Sequence, residues 1–127
     1  MLYNAKNGVL QLDGSQMEYI RFGTGKRMLV MLPGLGDSLR SMKGLALPMA
    51  LMYREFAKDF TVWAFSRKNT LPEGYTTRDM ARDQAGAMEQ LGIEKADIFG
   101  VSMGGMIAQW LAIDHPEKVD RLGLAVT

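Results

Sequence analysis

One serine lies where its hydroxyl could act as a nucleophile. Residues 100–104 are Gly-Val-Ser-Met-Gly, and they join an apolar stretch ending at Val101 to a stretch of helix-forming residues. A strand that turns sharply into a helix holds the corner residue in a strained conformation, with its side chain exposed. The free N–H groups at the start of that helix favour a developing negative charge. The pattern predicts that Ser102 attacks an electrophilic carbonyl carbon.

Glycines on both sides of Ser102 fit such a corner. Gly100 and Gly104 lack the Cβ atoms that would collide there. Gly104, Ala108 and Ala112 also form a stripe of small residues at four-residue spacing, which lets the helix pack close to a sheet. The alternative is that Ser102 only caps the following helix, a common position for serine. The combination of strand, glycines and helix favours the nucleophile.

The rest of the sequence contains patterns typical of strands, which predict a sheet that positions Ser102. Residues 8–13 and 16–22 alternate apolar and polar side chains, as half-buried strands do, and Asp13-Gly14 between them is a typical hairpin turn. The run 27–32 is apolar on both faces, which is typical of a buried central strand. Further strands are expected at 61–67, 95–101 and 119–127.

Helical patterns occupy the segments between the later strands. Residues 39–59 are rich in helix formers, although Pro48 breaks or restarts that helix. A second helix is expected from Thr76 or Thr77 to about Leu91, and a third over 103–114. This order predicts an α/β fold with a mostly parallel sheet, an N-terminal antiparallel hairpin and helices on both faces. Residues 1–127 are expected to form a single domain.

Two motifs give the chain a resemblance to a known family. LPGLGDS follows the third predicted strand and GVSMGG follows the fifth. With these motifs, residues 8–127 resemble the N-terminal half of the α/β-hydrolase superfamily, from the opening hairpin through the sixth strand. The resemblance implies that Ser102 is the catalytic nucleophile. It also implies that the backbone N–H groups of Leu35 and Met103 form the oxyanion hole.

The chain departs from that family in two respects. Most members have His-Gly where this chain has Pro33-Gly34, which leaves the Leu35 N–H available but removes a side chain that usually braces the loop. The family also supplies its catalytic histidine and acid after later strands. The only histidine here, His115, lies roughly 20 Å along a helix from Ser102, so a structural or capping role is expected.

The carboxylates are not expected to complete a catalytic triad either. Asp97 and Asp120 lie at the starts of their strands and so belong to the wrong edge of the sheet. Asp79 and Asp83 are expected to be solvated or to cap a helix, and Asp37 could line the pocket. We expect the chain to be a truncated part of an enzyme, inactive alone, rather than a natural half-protein or one completed by another chain.

These observations predict a serine hydrolase that acts on an ester, amide or thioester of a small-molecule acyl substrate through an acyl-enzyme. The alternative is a non-catalytic binding or dimerisation module with the same fold. Because residues 119–127 would form an exposed apolar edge, self-association through this last strand is also possible. Met103, Met106 and the methionines within 42–52 suggest an apolar pocket wall.

Composition argues against several other functions. The net charge is +1 and no basic run is present, so a nucleic-acid partner is not expected. One histidine and no cysteine leave no metal-ligand cluster, and Gly34-Leu35-Gly36 lacks the third glycine of a dinucleotide fingerprint, so we expect no metal and no cofactor. With no signal peptide and no apolar run of membrane-spanning length, we expect no membrane partner and a cytoplasmic location.

Overall fold

The computed structural model of the chain describes residues 5–12, 14–32, 58–68 and 73–125. Six strands in these ranges form one sheet: β1 (Lys6–Leu12), β2 (Ser15–Phe22), β3 (Arg27–Leu32), β4 (Phe60–Lys68), β5 (Ala96–Val101) and β6 (Val119–Ala125). Their order across the sheet is β1-β2-β4-β3-β5-β6. The described ranges also contain helix α1 (Thr77–Gln90), helix α2 (Met103–Asp114) and a 3₁₀ turn at Pro116–Lys118.

The first two strands form the predicted hairpin. β1 pairs with β2 in antiparallel orientation, and Leu12 at the end of β1 lies opposite Ser15 at the start of β2. Gly14 has φ 78°, the left-handed conformation that tight hairpin turns require and that glycine adopts without steric cost. β2 continues the sheet by antiparallel pairing with β4. The antiparallel N-terminal hairpin is therefore confirmed.

The other strands form the parallel part of the sheet. β3 pairs in parallel with both β4 and β5, and β5 pairs in parallel with β6. Side chains alternate along β3, so Val30 and Leu32 enter one apolar core while Leu29 and Met31 enter another on the opposite face. The expected buried central strand and the α/β fold class are thus confirmed. The helix predicted over 39–59 lies outside the described residues.

Helix α1 begins with reciprocal hydrogen bonds. The Thr76 hydroxyl accepts a hydrogen bond from the Asp79 N–H, and the Asp79 carboxylate accepts one from the Thr76 N–H. The expectation that the Asp83 side chain is solvated is wrong, because Asp83 is only 4 % exposed and accepts a hydrogen bond from the Tyr75 hydroxyl. The helix ends at Gln90 with Leu91 as its C-cap, and Gly92 follows in the left-handed conformation, with φ 74°.

Helices α1 and α2 pack against each other and contribute to the same apolar core. α2 also packs on β5, which precedes it in the chain, and on β6, which follows it. The buried residues of α2 are Gly104, Gly105, Ile107, Ala108 and Leu111. Neither helix of the described ranges is long and apolar enough to cross a lipid bilayer.

Candidate functional site

A single residue, Ser102, joins β5 to α2. β5 ends at Val101 and α2 begins at Met103, so the chain reverses from strand to helix at one position. Ser102 has φ 56° and ψ −120°, and it is the only non-glycine residue of the described ranges with a positive φ. A non-glycine residue held in such a backbone conformation destabilises the folded state by about 1–3 kcal/mol, which the surrounding contacts must offset.

Two backbone hydrogen bonds hold this strained corner. The Ser102 N–H donates to the carbonyl oxygen of Ala125, the last residue of β6, at 2.9 Å. The Ser102 carbonyl accepts a hydrogen bond from the Gly105 N–H, also at 2.9 Å. The backbone of Ser102 is therefore fixed from both the neighbouring strand and the helix.

The Ser102 side chain does not cap the helix. It makes no capping hydrogen bond with α2, although it occupies the N-cap position, and the residue is exposed. A serine selected for capping would direct its oxygen at the N–H groups of the first turn. At this corner the hydroxyl is instead left accessible next to those N–H groups.

Gly100 permits the close approach of β5 and α2. A Cβ atom added at Gly100 would lie 2.4 Å from the Gly104 carbonyl oxygen and 2.7 Å from the Gly105 Cα. Both obstacles are backbone atoms at the start of α2, so neither can move away without shifting the helix. Any residue larger than glycine would therefore displace the helix that begins beside Ser102.

One of the two expected oxyanion donors lies beside Ser102. Met103 is the first residue of α2, and the N–H groups in the first turn of a helix have no acceptor within that helix. The helix dipole adds positive character at the same point. Leu35, the other expected donor, lies outside the described residues, as does Asp37.

His115 lies at the opposite end of α2 from Ser102. The helix contains 12 residues, which corresponds to about 18 Å. The His115 N–H donates to the Leu111 carbonyl oxygen at 2.8 Å, and its Nδ1 lies 3.9 Å from a Glu117 carboxylate oxygen. These contacts agree with a role in ending the helix and give the histidine no access to the Ser102 hydroxyl.

Asp97 and Asp120 lie at the amino ends of their strands, away from the corner. Both Asp97 oxygens lie 3.0 Å from an Arg27 nitrogen, and Arg121 donates to the same carboxylate at 3.2 Å. Asp120 accepts a further hydrogen bond from Arg27 at 3.2 Å. Burial alone would raise the pKa of Asp97, but hydrogen bonds from Arg121 and Arg27 hold it below its usual value.

This charged cluster links β3, β5 and β6, and it was not predicted from the sequence. A signal was present, since Arg27, Asp97 and Arg121 each fall within three residues of a predicted strand start. A cavity of about 160 Å³ next to the cluster is lined in part by Lys26, Arg27 and Lys95. Because it opens at the amino ends of the strands, it is separate from the corner at Ser102.

Comparison with known proteins agrees with this architecture. Residues 27–127 match the family model described as alpha/beta hydrolase fold. The chain is 32 % identical over 108 residues to a protein of Cupriavidus necator named dihydrolipoyllysine-residue acetyltransferase component of acetoin cleaving system. It is 37 % identical over 100 residues to 2-hydroxymuconate semialdehyde hydrolase of Pseudomonas sp. strain CF600.

These matches cover most of the chain but a minor part of each relative. The two alignments include 85 % and 76 % of this chain, and 28 % and 35 % of the two relatives. Thus the chain spans about a third of the length of these curated relatives. Among solved structures, ALR0039 from Nostoc sp. PCC 7120 superimposes with a TM-score of 0.78 at 25 % identity, covering 98 % of this chain and 43 % of that protein.

Proposed function

The chain belongs to the alpha/beta hydrolase fold family, and from this premise we propose that it carries the nucleophile of a serine hydrolase. The substrate is a small molecule with an ester, amide or thioester bond. The observation that carries the proposal is the conformation of Ser102, whose φ of 56° is unique among the described non-glycine residues. Strain of this kind persists where the position of a side chain matters for function.

The chemistry follows from what surrounds the hydroxyl. The Ser102 oxygen attacks the carbonyl carbon while a base takes its proton, and the carbonyl oxygen becomes negatively charged. The Met103 N–H donates to that oxyanion, and the Leu35 N–H is the second donor. Each donor is worth on the order of 3 kcal/mol in the transition state. Collapse of the intermediate expels the leaving group, which takes up the proton, and leaves an acyl-enzyme.

The base and the acid of this reaction come from polypeptide outside these 127 residues. The sequence has one histidine, and it lies at the far end of α2. Asp97 and Asp120 are engaged by arginines at the opposite edge of the sheet. The short span of the chain relative to its relatives is consistent with this assignment.

A fluorophosphonate probe tests the proposal in the intact gene product. The probe phosphonylates a serine only where a base and an oxyanion hole activate it, so we expect one labelled peptide, containing Ser102. Ser102→Ala should abolish the label. Ser15→Ala is the matched control, because it removes a serine hydroxyl far from the corner, and it should leave the labelling unchanged.

Two results would contradict the proposal. One is an intact gene product that folds, shown by a cooperative thermal transition, yet never labels at Ser102. The other is labelling that persists in Ser102→Ala at the rate of the unaltered protein. Absence of both labelling and turnover would favour a non-catalytic module that retains the fold.

A further inference from the structure

Five large apolar side chains are exposed in the described ranges: Val9, Met106, Ile113, Leu122 and Leu124. Two of the five lie near Ser102. Met106 follows it by four residues on α2 and is 48 % exposed, and Leu124 pairs with Gly100 in the sheet and is 41 % exposed. An exposed hydroxyl therefore has apolar surface on its helix and on the adjacent strand.

Helix geometry directs the Met106 side chain toward the corner. Met106 lies on the outer face of α2, since Gly105 before it and Ile107 after it are buried. Long side chains in a helix point back toward its N-terminus and cover the preceding turn. For Met106 the preceding turn is the one that begins at Ser102.

We propose that Met106 is a specificity-determining residue that binds an apolar acyl group of the substrate beside Ser102. This inference rests on the proposed function and adds the substrate class: acyl groups with a hydrocarbon chain are favoured over acetyl. The thioether is unbranched and polarizable, so it adapts to chains of different shape. Contact with such a chain removes apolar surface of both partners from water.

The absence of cysteine allows a test that does not depend on the catalytic base. Ser102→Cys places one thiol at the corner, and it is the only thiol among these 127 residues. Its alkylation rates with iodoacetamide and with N-hexyl iodoacetamide give a ratio that measures affinity for an apolar chain. We expect Met106→Gln in this background to lower the ratio about fivefold, as expected for the loss of one or two methylene contacts.

Two further variants separate apolar contact from general effects on the helix. Met106→Leu, which keeps an apolar side chain of similar size, should retain most of the preference for the hexyl reagent. Ile113→Gln makes the same kind of change at a more exposed position, 64 % accessible, two turns further along α2, and should leave the ratio unchanged.

An unchanged ratio in Met106→Gln, or an equal fall in Ile113→Gln, would overturn the inference. Neither result depends on whether Ser102 is activated in the intact gene product. Conversely, failure of fluorophosphonate labelling with a Met106-dependent ratio would refute the serine mechanism and retain an apolar binding site at the corner.

Discussion

Replacing Gly100 by alanine tests whether the corner at Ser102 depends on the close approach of β5 and α2. The added Cβ would meet the Gly104 carbonyl oxygen at 2.4 Å and the Gly105 Cα at 2.7 Å. Real Cβ atoms essentially never approach within 3.0 Å of another atom, so the start of α2 must retreat. Since the Ser102 carbonyl accepts a hydrogen bond from the Gly105 N–H, the backbone of Ser102 moves with the start of α2.

The energetic cost follows from the nature of the obstacle. Overpacking a well-packed core costs about 1–3 kcal/mol when side chains can adjust, and more when they cannot. Here the contacts are with backbone that both strand and helix hold in place, so we expect the free energy of unfolding to fall by about 3 kcal/mol. A displacement of 1 Å at a catalytic group can cost on the order of 100-fold in rate, so fluorophosphonate labelling of Ser102 should also fall steeply.

Urea unfolding measures the stability change, and Gly86→Ala is the matched control. Gly86 lies within α1, where an added Cβ would meet only the end of the Leu12 side chain, at 3.1 Å. Alanine is favoured over glycine within a helix by about 1 kcal/mol, so this variant should be neutral or more stable. The same glycine-to-alanine change is thus expected to destabilise the protein at position 100 but not at position 86.

An unfolding midpoint for Gly100→Ala equal to that of the unaltered protein would refute this reasoning. So would a loss of stability no larger than that of Gly86→Ala. A destabilised variant that labels at the normal rate would show that stability and reactivity of the corner are separable.

Two other substitutions have defined outcomes. Asp97→Asn should lower the free energy of unfolding at pH 7 by about 1–2 kcal/mol, because it removes the charge that binds Arg27 and Arg121. The folded pKa of Asp97 is depressed, so its contribution is present above pH of about 4 and lost as the pH falls through that folded value; urea midpoints of the two proteins should converge in acid. Ser102→Gly should be more stable than Ser102→Ala by about 1 kcal/mol, since glycine accepts φ 56° without strain, and equal midpoints would contradict the strain argument.

The sequence predicted the regular elements well. The strand at 27–32 and the helix at 103–114 have the expected bounds, and the other described ends differ by at most two residues. Local physics explains this success. Alternation of apolar residues, the Asp13-Gly14 turn and the Thr76 cap act within a few residues, so their effects do not depend on the rest of the chain.

The sequence by itself also singled out Ser102, because a strand, two glycines and a helix meet there. Whether it is the nucleophile, with Met103 and Leu35 as oxyanion donors, stays a prediction that the labelling experiment tests. Self-association through 119–127 likewise stays a prediction. The Ser102 N–H bond to Ala125 was not foreseen, since it joins residues brought together only by the pairing of β5 and β6.

Only the tertiary structure determined which residues become ion-pair and packing partners. Arg27, Asp97 and Arg121 form one cluster because parallel pairing aligns the amino ends of three strands. Asp83 is buried because the broad packed face of α1 includes its position and Tyr75 supplies a donor. A one-dimensional pattern fixes which residues a helix or strand presents, but burial and ion pairing depend on what the fold packs against that face.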